Sequence, residues 1–154
     1  MKEKRVYIDT DIFVYVALKH PDYYKKCYSV LELLTLKEFT GYGSQLVLFE
    51  LYGALSKLNV EAAYEAVKSY LNLPLTILEV NRDTFRYAKE IAALTGITYD
   101  SIHAALVAQN NIDVVVTEDL KDWHKILRVW PKIKEKLNTR ELIVLSPTKG
   151  RIKA

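Results

Sequence analysis

Residues 113–117, which read DVVVT, constrain the fold more than any other stretch of the chain. Three consecutive valines leave no polar face, so we interpret this segment as a strand that is covered on both sides. Strands of this kind are typical of parallel sheets, because crossover helices pack on both faces of such sheets. The segment therefore predicts a sheet between two layers of helices.

The rest of the chain alternates in the same way. We predict further strands at residues 5–8, 75–80 and 142–145. Apolar residues at helical spacing predict the following helices: 12–18, 23–39, 44–58, 60–71, 82–94 and 99–111. Gly41 and Gly43 are interpreted as breaks, and helical material after Asp119 as interrupted by Pro131. The predicted fold class is α/β, a three-layer α/β/α sandwich around a mostly parallel sheet of four to five strands.

The length and composition predict one domain. With 154 residues the chain fits a single core, which we place at residues 1–146, followed by a basic tail at 147–154 that is expected to be mobile. No apolar run approaches the length of a membrane span. Cys27 is the only cysteine and no signal-peptide pattern is evident, so we expect a cytoplasmic protein.

The charge is distributed unevenly along the chain. Residues 1–118 carry 12 basic and 15 acidic side chains, a balance of −3, whereas residues 119–154 carry 10 basic and 4 acidic ones, a balance of +6. A basic segment can attract a polyanion, so Lys132, Lys134 and Lys136 are candidate contacts to nucleic-acid phosphates. The alternative interpretation is a lysine-rich helix face that is simply solvated.

Two acids follow predicted strands. Asp9 comes directly after the first strand, and Asp119 comes two residues after the strand at 113–117. Since parallel strands place their carboxyl ends at one edge of the sheet, these two carboxylates are expected to meet there.

Two further acids lie on predicted helices. Glu50 is embedded in QLVLFELYGAL, where little polar face remains, so we predict that it points inward. Asp100 lies in the first turn of an Ala-rich helix, where an acid can also simply complement the helix dipole. His103 shares the face of Asp100 and is interpreted as a packing residue outside the site.

Three neighbouring residues are assigned supporting roles. We predict that Asp11 mainly caps the first helix. Thr10 and Thr117 are hydroxyls beside the two acids that end strands, and Thr117 is placed to position a carboxylate or a water.

Taken together, four acids enter from four elements at one sheet edge. Hard oxygen ligands without cysteine or histidine suit Mg²⁺ or Mn²⁺. Such ions neutralise phosphates, activate water and stabilise leaving oxygens.

On these residues the sequence resembles the PIN-domain nucleases, and within them the VapC-like toxins of type II toxin–antitoxin pairs. The resemblance covers nearly the whole chain. Four motifs carry it, and each contains one of the four acids: YIDTDIFVY, LVLFELYGAL, TYDSIHAAL and VVVTEDLKDW.

The resemblance implies metal-dependent cleavage of single-stranded RNA by activated water, often from a homodimer. It implies Asp9 and Asp100 as direct ligands of Mg²⁺ or Mn²⁺, with Glu50 and Asp119 completing the cluster directly or through water. It also implies a small antitoxin whose tail lies across the acidic groove. Two departures are a longer basic stretch after Asp119 and an aspartate at position 11, where asparagine or serine is frequent.

Two alternative functions stay open. A receiver-like signalling domain also gathers acids and Mg²⁺ at strand ends, but it needs a lysine at the end of a later strand, and the strand at 113–117 ends in Thr117. The second alternative is a non-catalytic PIN-like module that binds RNA or a partner protein.

Overall fold

A computed structural model describes residues 4–154 of the chain. Within these residues, helices and strands alternate as the sequence predicts for an α/β fold. The elements are, in chain order, β1 (Arg5–Ile8), α1 (Thr10–Ala17), α2 (Tyr24–Thr35), β2 (Thr40–Ser44), α3 (Gln45–Ser56), α4 (Val60–Leu71), β3 (Leu75–Leu78), α5 (Arg82–Thr95), α6 (Ser101–Gln109), β4 (Val114–Val116), α7 (Leu120–Leu137), β5 (Ile143–Ser146) and β6 (Gly150–Ile152).

The six strands form one sheet in the order β3-β2-β1-β4-β5-β6. The first five strands are parallel, and β6 runs antiparallel to β5. The chain leaves β1 toward β2 and β3 on one side and returns to place β4 on the other side. The strand order therefore reverses between β1 and β4, and clefts at the carboxyl ends of such strands commonly bind ligands.

The central strands are buried as their sequence predicts. Val114, Val115 and Val116 of β4 are all buried, and Ile8 of β1 pairs with Val116. Burial on both faces confirms that helices cover both sides of the sheet. No helix in the described part of the chain is long and apolar enough to cross a membrane.

Two helices of the outer layers have well-defined caps. Ser44 begins α3 by accepting a hydrogen bond from the backbone N–H of Val47. Gly96 ends α5 in the left-handed conformation, with a φ of 77°, which costs glycine little.

The strand β2 was not predicted, because Gly41 and Gly43 were interpreted as breaks. Both glycines lie in β2 and are buried. A Cβ atom on Gly41 would overlap the side chain of Leu34, and one on Gly43 would overlap the ring hydroxyl of Tyr70. Helices α2 and α4 thus pack so closely on β2 that only glycine fits, and strand propensity is overridden by this packing.

The C-terminal part of the chain differs from the prediction in two ways. Helix α7 continues through Pro131, because buried residues on both sides of the proline, among them Trp130 and Ile133, hold the helix against the core. Residues 150–152 form β6, with Ser146 paired to Gly150. The fold therefore extends beyond the predicted boundary at residue 146.

Replacing Gly43 by alanine tests the close packing on β2. The added methyl group would have to displace Tyr70, whose ring carbon Cζ is only 2.8 Å from the place that a Cβ atom on residue 43 would take. We expect Gly43→Ala to lower the free energy of unfolding by about 1–3 kcal/mol, as overpacking typically does. Urea denaturation measures this change.

Gly53→Ala is the matched control, because a Cβ atom there meets nothing within 4 Å. Alanine in the interior of α3 should raise the free energy of unfolding by roughly 0.5–1 kcal/mol. Equal effects of the two substitutions would show that β2 is not packed as described.

Candidate active site

A cleft of about 530 Å³ opens at the carboxyl ends of β1 and β4. It lies where the strand order reverses, as expected for a ligand site in a parallel sheet. Its walls include all four predicted acids and two of the predicted supporting residues: Asp9, Glu50, Asp100, Asp119, Thr10 and Asp11. The structure therefore brings the four carboxylates into one cleft.

Asp9 is buried and held by several donors. Its Oδ1 accepts a hydrogen bond from the backbone N–H of Thr10 at 2.8 Å, so Asp9 is the N-cap of α1. Its Oδ2 accepts from the Thr117 hydroxyl at 2.7 Å and from the Trp123 indole N–H at 3.4 Å. These contacts fix the direction of the carboxylate at the end of β1.

Asp11 does not cap α1, contrary to the prediction. Its side chain crosses to the loop after β4, where Oδ2 accepts from the backbone N–H of Glu118 at 3.0 Å. Its Oδ1 is buried with no hydrogen-bond partner in residues 4–154. Burial, together with the nearby charge of Asp9, raises the pKa of Asp11 to about 8.

The two threonines connect acids to one another. Thr117 donates to Asp9 and accepts from the backbone N–H of Asp119 at 2.9 Å. One hydroxyl thus links the residue after β1 to the residue that begins α7. Thr10 donates to Oε1 of Glu50 at 2.6 Å. Both residues thus lie where the sequence analysis placed supporting hydroxyls.

Three acids, two of which line the cleft, form a close group. Asp100, Asp119 and Asp122 each offer a carboxylate oxygen, and these oxygens lie within 4.8 Å of one another. Burial and a hydrogen bond with Asp122 raise the pKa of Asp100 to about 6. Burial and the charge of Asp122 likewise raise the pKa of Asp119.

Sequence reasoning missed Asp122. The signal that could have revealed it was its spacing, because residues three apart at the start of a helix share a face, and Asp119 caps α7 by accepting from the Asp122 backbone N–H.

The interpretation of His103 as a packing residue outside the site was wrong. The ring is 4% exposed, and its Nε2 lies 2.7 Å from Oε1 of Glu50 and 3.7 Å from Oδ1 of Asp9. Burial lowers the pKa of His103, but the charge of Asp9 and the hydrogen bond with Glu50 outweigh it and raise the pKa to about 9. Burial raises the pKa of Glu50, but His103 holds it below its usual range. The sequence feature that could have placed His103 in the site is the helix face that it shares with Asp100.

The three candidate lysines are not brought to the cleft. They lie on the last turns of α7, roughly 20 Å or more along the helix axis from Asp119 at about 1.5 Å per residue. Lys134 is paired with Glu141, and Nζ of Lys136 lies 3.1 Å from Glu90. A different lysine, Lys57 at the end of α3, lines the cleft.

The donor set of the cleft fits a hard divalent cation. Five carboxylates line it, and the nearby imidazole Nε2 of His103 is already bonded to Glu50. Oδ1 of Asp11 is a further buried oxygen that receives no hydrogen bond from residues 4–154. Oxygen donors of this type suit Mg²⁺ or Mn²⁺.

Comparison with known proteins agrees with the fold. The family described as PIN domain matches residues 6–127, so the chain belongs to the PIN-domain family. This assignment confirms the predicted fold class and sets aside the receiver-like alternative. No curated protein sequence matches the chain significantly.

Solved structures of toxin–antitoxin systems share the fold. VapBC2 from Rickettsia felis, bound to promoter DNA, is 24% identical with a TM-score of 0.62, covering 91% of this chain and 98% of that chain. VapBC from Salmonella typhimurium, also bound to DNA, is 19% identical with a TM-score of 0.63, covering 92% and 98%. VapC20 from Mycobacterium tuberculosis, a toxin that cleaves the sarcin-ricin loop, is 17% identical with a TM-score of 0.59, covering 71% and 86%.

The crowding of acids predicts an unusual pH dependence of the metal-free protein. The pKa of Asp11 is raised to about 8, so its ionisation costs more in the folded than in the unfolded chain. The stability that protonated Asp11 provides is present in full below the pKa that Asp11 has in the unfolded chain, about 4. It is lost as the pH rises from there through about 8. We expect Asp11→Asn, which mimics the protonated group, to melt higher than the parent by a clearly larger margin at pH 9 than at pH 5.

Thermal melts in chelator at the two pH values measure this difference, and about 1 kcal/mol corresponds to roughly 2–4 °C for a chain of this size. Asp22→Asn, at an exposed position before α2, is the control and should show no pH-dependent difference. A difference between Asp11→Asn and the parent that is the same at both pH values would contradict the assignment.

Proposed function

We propose that this chain is an endoribonuclease that uses Mg²⁺ or Mn²⁺ to hydrolyse phosphodiester bonds of single-stranded RNA. The observation that carries the proposal is the convergence of Asp9, Asp100 and Asp119 in one cleft, with Asp122 grouped beside Asp100 and Asp119. Membership of the PIN-domain family supports it.

The acids have distinct tasks in this proposal. Asp9 and Asp100 hold the cation directly, and Asp119, Asp122 and Glu50 complete the site directly or through water. A divalent cation bound there supplies a Lewis acid that polarises the phosphate and lowers the pKa of a water molecule. Thr117 and Trp123 keep the Asp9 carboxylate aimed at the cleft, so no reorganisation is needed when the substrate arrives.

The walls of the cleft suit a single strand. The rings of Tyr15 and Tyr99 line it, and Tyr99 is 54% exposed. Unstacked bases can stack on such rings, which a paired duplex does not allow. Lys57 lines the same cleft and offers a contact to a phosphate.

We also propose that the chain acts in the cytoplasm as the toxin of a toxin–antitoxin pair, as a homodimer. The similarity in fold to VapBC proteins, among them VapBC-1 from Haemophilus influenzae, supports this role. The partner would be a small antitoxin whose tail lies across the acidic cleft. A short reading frame for a DNA-binding protein directly upstream would support this role over that of a processing nuclease.

Cleavage of labelled single-stranded RNA tests the proposed activity. We expect cleavage in Mn²⁺ or Mg²⁺ and none in chelator. Asp100→Asn should lower the rate by about 100-fold or more, since even loss of a residue that supports a metal ligand can cost about 10–100-fold. Asp22→Asn should cleave at the parental rate.

Cleavage that persists in chelator would contradict the metal mechanism. RNA that binds without being cut in any metal would favour the non-catalytic PIN-like module instead.

The salt dependence of RNA binding tests where the phosphates lie. Lys57→Gln should reduce the slope of log affinity against log salt by about 0.7, the value for one phosphate contact on a single strand. Lys132, Lys134 and Lys136 lie far from the cleft, so only a long RNA can reach them. Replacing all three by glutamine should flatten the salt slope for a long RNA and leave the slope for a short oligonucleotide unchanged.

An unchanged slope for the triple variant on long RNA would show that this part of α7 is only a solvated face. An unchanged slope for Lys57→Gln would remove Lys57 from the interface.

A further inference from the structure

A buried chain of hydrogen bonds leads from the end of β2 to the Glu50 carboxylate. The hydroxyls of Ser44 and Tyr7 lie 2.9 Å apart, and the Tyr7 hydroxyl lies 2.7 Å from Nδ1 of His103. The other ring nitrogen of His103, Nε2, lies 2.7 Å from Oε1 of Glu50. Ser44 and Tyr7 are fully buried. The chain of hydrogen bonds therefore runs through the protein interior and ends in the cleft.

We propose that His103 is a positioning residue that aims the Glu50 carboxylate into the cleft, and that Tyr7 and Ser44 fix the ring that does so. The inference rests on the proposed function, because it concerns how Glu50 serves the cation site.

The direction of the last hydrogen bond follows from the chemistry of its partners. A carboxylate oxygen only accepts, so Nε2 of His103 carries the proton and donates to Glu50. Nδ1 meets a hydroxyl, which can accept or donate, so the ring keeps both contacts in either charge state. Ser44 in turn accepts from the backbone N–H of Val47 at 3.1 Å, which anchors the hydrogen-bond chain to α3.

Glu50 needs such positioning because of its length and place. It lies in the middle of α3 with its side chain 20% exposed, in a cleft where a glutamate can adopt several rotamers. Thr10 and His103 both donate to Oε1, at 2.6 Å and 2.7 Å. Two donors from different elements on one oxygen determine where the rest of the carboxylate points.

The ring also stands between two acids. Its Nε2 lies 3.7 Å from Oδ1 of Asp9, so it contacts the residue that follows β1 as well as the one on α3. The edge-on contact of the ring with Tyr7, with centroids 5.8 Å apart, keeps it from turning. Both ring nitrogens are hydrogen-bonded, so the orientation of the ring is fixed from two sides.

A double-mutant cycle on Mn²⁺ binding tests the inference without reference to RNA cleavage. Calorimetry would measure the dissociation constant of Mn²⁺ for the parent, His103→Leu, Glu50→Gln and the double variant. We expect His103→Leu to weaken binding by about 10–100-fold, as loss of a partner that orients a ligand typically does. In the Glu50→Gln background the same replacement should add little, because His103 acts through Glu50.

Two further variants separate positioning from packing. His103→Gln keeps a donor at the position of Nε2 and should recover part of the lost affinity. Tyr7→Phe removes one hydroxyl and keeps the ring, so it should weaken Mn²⁺ binding a few-fold in the parent and not at all in Glu50→Gln. Tyr7→Phe also serves if His103→Leu does not fold, which a thermal melt would reveal.

The outcomes distinguish the inference from the proposed function. Suppose that the parent binds Mn²⁺ and that the fold-losses of Mn²⁺ affinity in His103→Leu and Glu50→Gln simply multiply in the double variant. Then His103 does not act through Glu50, and the inference is overturned while the proposed function stands. The same holds if His103→Leu or Tyr7→Phe lowers only the melting temperature. If the parent binds no Mn²⁺, both are overturned.

Discussion

Repulsion between carboxylates that the fold forces together is the constraint on which the rest of the site depends. Two unit charges about 4 Å apart repel by about 4 kcal/mol at the effective dielectric of a near-surface site. On one side of the cleft the protein offsets this cost with its own donors: Asp9 and Glu50 receive hydrogen bonds from backbone, hydroxyl, indole and imidazole groups. For two of the remaining acids, burial and the neighbouring Asp122 raise the pKa of Asp100 and of Asp119. These carboxylates have fewer donors from the protein, and a cation shared with Asp9 would offset their repulsion.

The sheet topology explains why such an arrangement is stable in one small domain. Strands β1 and β4 are adjacent and parallel, and both are buried on both faces, so the residues that follow them emerge from the buried centre of the sheet. Asp9 and Thr117 are held together by this pairing, and the N-terminus of α7 follows directly. The first turn of α7 places the backbone N–H of Asp122 against the Asp119 carboxylate. The position of the acids is thus fixed by backbone structure rather than by the acids themselves.

The sequence was sufficient to predict the covered parallel strand and the four acids that line the cleft, because valine runs and strand-end carboxylates depend on local chain order. It was not sufficient for β2, since the need for Gly43 arises from Tyr70 on α4, a contact far away in the chain. The role of His103 was missed for the same reason: its two partners, Tyr7 and Glu50, belong to other elements. Features that depend on contacts between distant segments become visible only in the fold.

The central claim is that the cleft holds a divalent cation against the unpaired acids, and anomalous diffraction from crystals grown with Mn²⁺ tests it most directly. The account predicts an anomalous peak in the cleft beside Asp100 and Asp119, with His103 still bonded to Glu50, and loss of that peak in Asp100→Asn. A cleft without a peak, or a peak elsewhere on the molecule, in crystals with saturating Mn²⁺ would contradict it.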